Sequence, residues 1–120
     1  MGMKQSSTRS DRIRLGASLF LALTFCVTGS MMLLGVPVMV ELFDRVGIGQ
    51  WFRYVTGGLE IVGSGLLMRA ATRLLGALLL FFIMGAAIAT HLFVIGGYPV
   101  SAIVLGAACG WVFLGERKFA

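Results

Sequence analysis

The chain has 120 residues, of which 58% are hydrophobic and 12% charged, and its formal net charge is +5. A soluble domain of this length is closer to half apolar and about a quarter charged. The hydrophobic residues form long blocks, unlike the short alternating strands of a membrane barrel. The composition therefore excludes an ordinary water-soluble domain and predicts one all-α integral membrane domain. Nucleic-acid binding is not expected, because no basic face with polar or aromatic readers lies outside the N-terminal tail.

Four hydrophobic blocks predict four transmembrane helices, at about residues 15–36, 50–68, 74–95 and 98–114. A helix that crosses a hydrocarbon core of about 30 Å has roughly 17–25 residues, and each block is within this range. In lipid, the backbone polar groups of such a block are satisfied within a helix. Short turns join the later blocks, so we expect an up-down bundle over residues 15–117. A basic cytoplasmic tail, 1–14, precedes it, and a cytoplasmic C-terminus, 118–120, follows it.

The segment 37–49, between the first two blocks, differs in character from both. Its apolar residues can share one side of a helix and its charged residues the other: Val38, Leu42, Phe43 and Val46 against Glu41, Asp44 and Arg45. This pattern predicts a short amphipathic helix lying in the membrane interface. A plain loop is the alternative.

The basic residues indicate how the helices are oriented. With a cytoplasmic N-terminus, eight of the ten Lys and Arg residues lie on the inner side: Lys4, Arg9, Arg12, Arg14, Arg69, Arg73, Arg117 and Lys118. Only Arg45 and Arg53 lie toward the outer side. Basic residues are enriched on the cytoplasmic side of membrane proteins, so we expect both termini there.

Stripes of small residues predict close helix packing, on the fourth helix and on the first: Ala102, Gly106 and Gly110, and Ala22, Cys26 and Ser30. Such stripes serve packing within one bundle or contact between copies in a homo-oligomer. The two cysteines fall at similar depth, yet no C-x-x-C motif is present, so we expect packing residues rather than a redox pair. The scattered carboxylates and single histidine predict no metal site.

Glu60 and His91 are the only ionisable residues well inside the predicted helices. Glu60 lies about six residues below Tyr54 and His91 about six residues below Gly97, and both reference residues are near the outer boundary, so each side chain lies at a depth of roughly 9 Å. The second and third helices are joined by a short turn and should be antiparallel neighbours. A lone buried charge costs about 2.5–3.5 kcal/mol, which a hydrogen-bonded Glu60–His91 pair sharing a proton would reduce. We expect such a pair if the two helices face each other correctly, and it would be either a functional site or a contact that only fixes helix packing.

Other polar residues share the helical face of Glu60 and should point to the interior of the bundle. The candidate intramembrane polar site therefore contains Glu60, His91, Arg53, Thr56 and Ser64. The face of His91 is mostly apolar, with Met84, Ala87 and Ile88. No nucleophile motif or phosphate-binding loop is present, so no catalytic residue is assigned.

Four stretches resemble the DoxX-like family: FDRVGIGQWF at 43–52, TGGLE at 56–60, GLL at 65–67 and AAIATHL at 86–92. The resemblance covers about residues 34–117. Its most specific part is the Thr-Gly-x-x-Glu element followed, one helix later, by the histidine. The resemblance implies a multi-pass, four-helix protein of the bacterial inner membrane.

The activity that the resemblance implies is a redox one. Some members are named as subunits of a thiosulfate:quinone oxidoreductase, and others are linked to membrane complexes that handle thiol or oxidative stress. This chain has no cofactor motif of its own, so an oxidoreductase subunit, with quinone as candidate cofactor and other membrane or redox proteins as partners, follows from resemblance alone. A small transporter or permease-like component and a purely structural membrane partner are the alternatives.

Overall fold

The computed structural model describes residues 2–97 and 99–117, with the side chains of 2–8 and 10 excepted. Within these residues the chain forms five α-helices and one π-helical segment, and no strand: α1 Gly2–Leu34, α2 Pro37–Val46, α3 Trp51–Met68, α4 Arg73–Thr90, the π segment His91–Ile95, and α5 Val100–Arg117. The predicted all-α class is confirmed. Tyr98, the expected start of the fourth helix, and the predicted C-terminal segment 118–120 lie outside the described residues.

Glycine and proline determine the ends of α2. The chain leaves α1 through Gly35, whose φ is 72°, and Pro37 occupies the first turn of α2, where its missing N–H group would have no helical partner. The helix ends at Gly47, which has a φ of 87° and donates its N–H to the carbonyl of Phe43. The short helix expected between the first two spans is therefore present.

The contacts at one end of the molecule show how the helices alternate. Arg14 of α1 and Arg73 of α4 contact the Glu116 carboxylate near the end of α5, at 3.0 and 3.4 Å. Arg73 also donates to the carbonyl of Leu67, near the end of α3, at 2.9 Å. Helices α3 and α5 finish at this end and α4 begins there, while the part of α1 that packs in the bundle starts near Arg14. Successive long helices therefore run antiparallel, with α2 at the opposite end.

Glycines allow two of the helix pairs to approach closely. A Cβ added to Gly57 of α3 would lie 2.9 Å from the carbonyl oxygen of Gly29 in α1. A Cβ on Gly76 of α4 would lie 2.9 Å from the carbonyl oxygen of Gly63 in α3. The backbones meet at these points, so the small size of each glycine is required for packing. The stripe predicted on α1 is only partly used, because Ala22 is buried and Cys26 is exposed.

Three helical segments of the described chain are long and apolar enough to cross a membrane: Asp11–Leu34, Arg73–Ile95 and Val100–Arg117. The remaining long helix, α3, is not among them, because it carries several polar side chains. Those side chains are nevertheless inside the molecule, since the buried residues of α3 are Arg53, Gly57, Glu60, Gly63, Ser64 and Leu67. The apolar exterior is extensive, with Phe20 65% and Phe93 85% exposed. Lipid is the natural environment for such a surface.

Candidate functional site

A cavity of about 430 Å³ lies between α2, α3 and α4. Its walls are mainly apolar and include Phe43 and Val46 of α2, together with Phe82 and Met84 of α4. Four polar side chains also line it: Thr56, Glu60, Thr90 and His91. A volume of this size and an apolar lining with a few polar groups are typical of sites for small organic ligands.

Glu60 forms the polar wall on the α3 side and is 2% exposed. Its Oε1 atom accepts a hydrogen bond of 2.5 Å from the hydroxyl of Thr28 in α1. The same hydroxyl lies farther, 3.3 Å, from the carbonyl oxygen of Phe25, so we assign its proton to the hydrogen bond with Glu60. Within the part of the chain that the structure describes, Oε2 has no hydrogen-bond partner. Thr28 therefore fixes one oxygen of the carboxylate and leaves the other for the cavity.

His91 forms the polar wall on the α4 side and begins the π segment. Its Nδ1 atom lies 2.9 Å from the carbonyl oxygen of Ala87, one turn earlier. A carbonyl oxygen only accepts, so in the neutral ring Nδ1 carries the proton and Nε2 presents a lone pair; this tautomer is assigned from the partner. π-helical turns occur frequently at functional sites, where they change the direction of a side chain.

The expected hydrogen bond between Glu60 and His91 does not form among the described residues. Each side chain is held by a partner on or beside its own helix instead, Glu60 by Thr28 and His91 by Ala87. Both nevertheless line one cavity. The prediction that Glu60 and His91 share a proton in a hydrogen bond was therefore wrong. The two side chains instead line a cavity that can hold a ligand.

Arg53 was expected in the polar site, but it does not line the cavity. Its guanidinium donates to Gln50 Oε1 at 2.7 Å and to the carbonyl of Met32, near the end of α1. It also lies 4.4 Å from the centre of the Tyr54 ring. A cation near the C-terminal end of a helix is stabilised by the helix dipole. Arg53 therefore joins α3 to the end of α1.

Thr56 and Ser64 both share the face of Glu60, yet only Thr56 lines the cavity. The Ser64 hydroxyl is buried and donates to the backbone carbonyl of Glu60 at 2.8 Å. The cavity thus brings together Glu60, His91 and Thr56 of the candidate residues and leaves Arg53 and Ser64 outside it.

Sequence reasoning missed Thr28 and Thr90. Thr28 is one threonine in an apolar span, and its relation to Glu60 depends on how α1 rotates against α3. Thr90 could have been found, because it directly precedes His91 at the end of the same helix. The covering of the cavity by α2 was also missed.

Among the described residues there is neither a cluster of metal-binding side chains nor a disulfide. Across the described residues, no group of three or more His, Cys, Asp or Glu side chains is placed to hold a metal ion. Both cysteines are free, with Cys26 exposed and Cys109 buried.

Comparison with known proteins identifies the family of the chain. A family model described as the DoxX-like family matches residues 17–114, which is most of the chain, and confirms the resemblance. No curated protein and no solved structure matches the chain.

Proposed function

The chain belongs to the DoxX-like family, and we propose that it is a four-span membrane protein whose cavity binds a quinone-type molecule for a membrane redox system. The observation that carries this proposal is the cavity itself, with apolar walls for a ring and tail and with Glu60 and His91 for polar groups. We propose the bacterial inner membrane as its location, with both termini cytoplasmic.

The burial of polar residues in α3 supports a fourth crossing. Arg53, Glu60 and Ser64 are at most 5% exposed, so they would not meet lipid. The rest of the α3 surface carries exposed apolar residues, including Val55, Leu59 and Val62. A helix with this distribution can cross a membrane inside a bundle although its mean hydropathy is low, because ionisable residues in spans face the interior. The short amphipathic α2 would then lie at the outer interface.

The cavity wall supports entry of the ligand from the membrane. Val55, Leu59 and Phe82 line the cavity and are also exposed on the apolar exterior. A lipophilic molecule could therefore reach Glu60 sideways, between α3 and α4, without passing through water.

A bound quinone would supply the capacity to carry two electrons and two protons. The residues of this chain that would hold it are Glu60, His91, Thr56 and Thr90. Their chemistry is suited to hydrogen bonding, and Glu60 and His91 could take up the protons that the reduced form releases, whereas its electrons would pass to a partner protein. Membrane or redox proteins are therefore the proposed partners.

The proposal predicts that the protein, purified in mild detergent, carries a quinone detectable by solvent extraction and mass spectrometry. The Ala87→Phe variant should lose most of it, because Ala87 lines the cavity and a phenyl ring would occupy the space. Ala89→Phe is the matched control, since Ala89 is exposed on the same helix and does not line the cavity. Equal retention by both variants, or no quinone in any preparation, would contradict the proposal.

A further inference from the structure

The polar side chains of the cavity share one property: their protons are already donated to other atoms. The Thr56 hydroxyl donates to the carbonyl of Phe52 at 2.8 Å, and the Thr90 hydroxyl donates to the carbonyl of Ala86 at 2.8 Å. A hydroxyl has one proton and two lone pairs. Both threonines therefore offer only lone pairs to a ligand.

His91 and Glu60 also present acceptor atoms, and no donors, to a ligand in the cavity. The Nδ1 proton of His91 is used on its own helix, so Nε2 is an acceptor in the neutral ring. Glu60 accepts from Thr28 through Oε1 at 2.5 Å, and an ionised carboxylate accepts hydrogen bonds with both of its oxygens. Its second oxygen is then also an acceptor.

Arg53, the cation nearest to Glu60 in the sequence, adds no hydrogen-bond donor to the cavity. It does not line the cavity, and its guanidinium donates to Gln50 and to the Met32 carbonyl. The four polar side chains of the lining thus form a surface of acceptors surrounded by apolar walls.

A surface of this kind discriminates between the two redox forms of one ring. A carbonyl group is an acceptor and would meet other acceptors, whereas a hydroxyl group can donate to them. Sites that present matched polar groups reject analogues lacking the complementary group, because buried polar atoms are then left unpaired.

We propose that the cavity selects lipophilic ligands that carry hydroxyl donors, so that of a quinone–quinol couple it takes the quinol. This inference rests on the proposed function, because it names the form of ligand that the same cavity binds.

The experiment measures the dissociation constants of three matched probes for the full-length protein in nanodiscs. The probes are 2-decyl-1,4-hydroquinone, 2-decyl-1,4-benzoquinone and 2-decyl-1,4-dimethoxybenzene, which has no donor. Calorimetry is done without oxygen at pH 8. The hydroquinone should bind at least about tenfold more tightly than the other two.

The outcomes separate this inference from the function on which it rests. If the quinone binds as tightly as the hydroquinone or more tightly, the acceptor inference is overturned while quinone binding stands. If none of the three probes binds, both are overturned.

Glu60→Gln provides a second, independent readout. The glutamine oxygen can still accept from Thr28, and its amide nitrogen gives the cavity a donor. The ratio of quinone to hydroquinone affinity should therefore rise by about tenfold, a shift that loss of stability alone would not produce. Ser64→Ala is the control and should leave the ratio unchanged, because Ser64 does not line the cavity. An unchanged ratio in Glu60→Gln would overturn the inference.

Discussion

Gly57→Ala is expected to lower the free energy of unfolding by about 1–3 kcal/mol, the usual cost of overfilling a packed interface. The added methyl group would lie 2.9 Å from the carbonyl oxygen of Gly29 and from the Cβ atom of Met32. A backbone oxygen cannot move aside as the end of a flexible side chain can, so α1 and α3 would have to separate. The measurement is equilibrium unfolding of the purified protein in mixed detergent micelles.

Gly58→Ala is the matched control for this prediction. A Cβ added to Gly58, the next residue of α3, has no atom within 4 Å. Alanine is favoured over glycine inside a helix by roughly 0.5–1 kcal/mol, so this variant should be at least as stable as the parent. Equal losses of stability in the two variants would show that α1 and α3 do not meet at Gly57.

Thr28→Val is expected to destabilise the protein by about 1–3 kcal/mol, because it removes the hydrogen-bond donor to a buried carboxylate. Valine has nearly the shape of threonine, so packing between α1 and α3 should be preserved. Thr24→Val is the control: Thr24 lies one turn earlier on α1, and its hydroxyl bonds only to the carbonyl of Phe20, at 2.9 Å. Unfolding of the two variants is compared with the parent in the same micelles.

A double variant shows whether the effect comes from the carboxylate. Thr28→Val combined with Glu60→Met should recover part of the stability lost in Thr28→Val, because an apolar pair leaves no unpartnered polar atom. If Thr28→Val and Thr24→Val lose the same stability, the hydroxyl of Thr28 does not hold Glu60.

The parts of the fold that follow from local sequence could be predicted. The apolar and charged residues of 37–49 separate at helical spacing, and α2 forms there between Pro37 and Gly47. The polar face of α3 could likewise be predicted from the spacing of polar residues along one helix, and the residues on that face are buried. Glu60 and His91 were predicted at similar depth on neighbouring helices, and both line the cavity.

The features that depend on the rotation and approach of separate helices could not be predicted. Spacing along α1 favoured Ala22, Cys26 and Ser30 as its packing stripe, yet α1 also approaches the backbone of α3 closely at Gly29. The contact of Thr28 with Glu60 could not be predicted for the same reason, because it joins residues of two helices that are 32 positions apart in the sequence. The π segment that begins at His91 is likewise not expressed by a regular helix period.

The location of the cavity relative to the membrane depends on the number of membrane crossings. That number is four if α3 crosses the membrane and three if it does not. With four crossings, α2 lies on the outer side of the membrane and the turn after α3 lies on the inner side. The most direct measurement is the labelling of single cysteines in intact cells with a membrane-impermeant maleimide. Glu41 on α2 and Arg69 after α3 are both exposed, so Glu41→Cys and Arg69→Cys, each with Cys26 and Cys109 replaced by alanine, report the two sides.

Four crossings predict that Glu41→Cys is labelled in intact cells and that Arg69→Cys is labelled only after the membrane is made permeable. Labelling of both positions from the same side would mean that α3 does not cross the membrane, and would contradict the account.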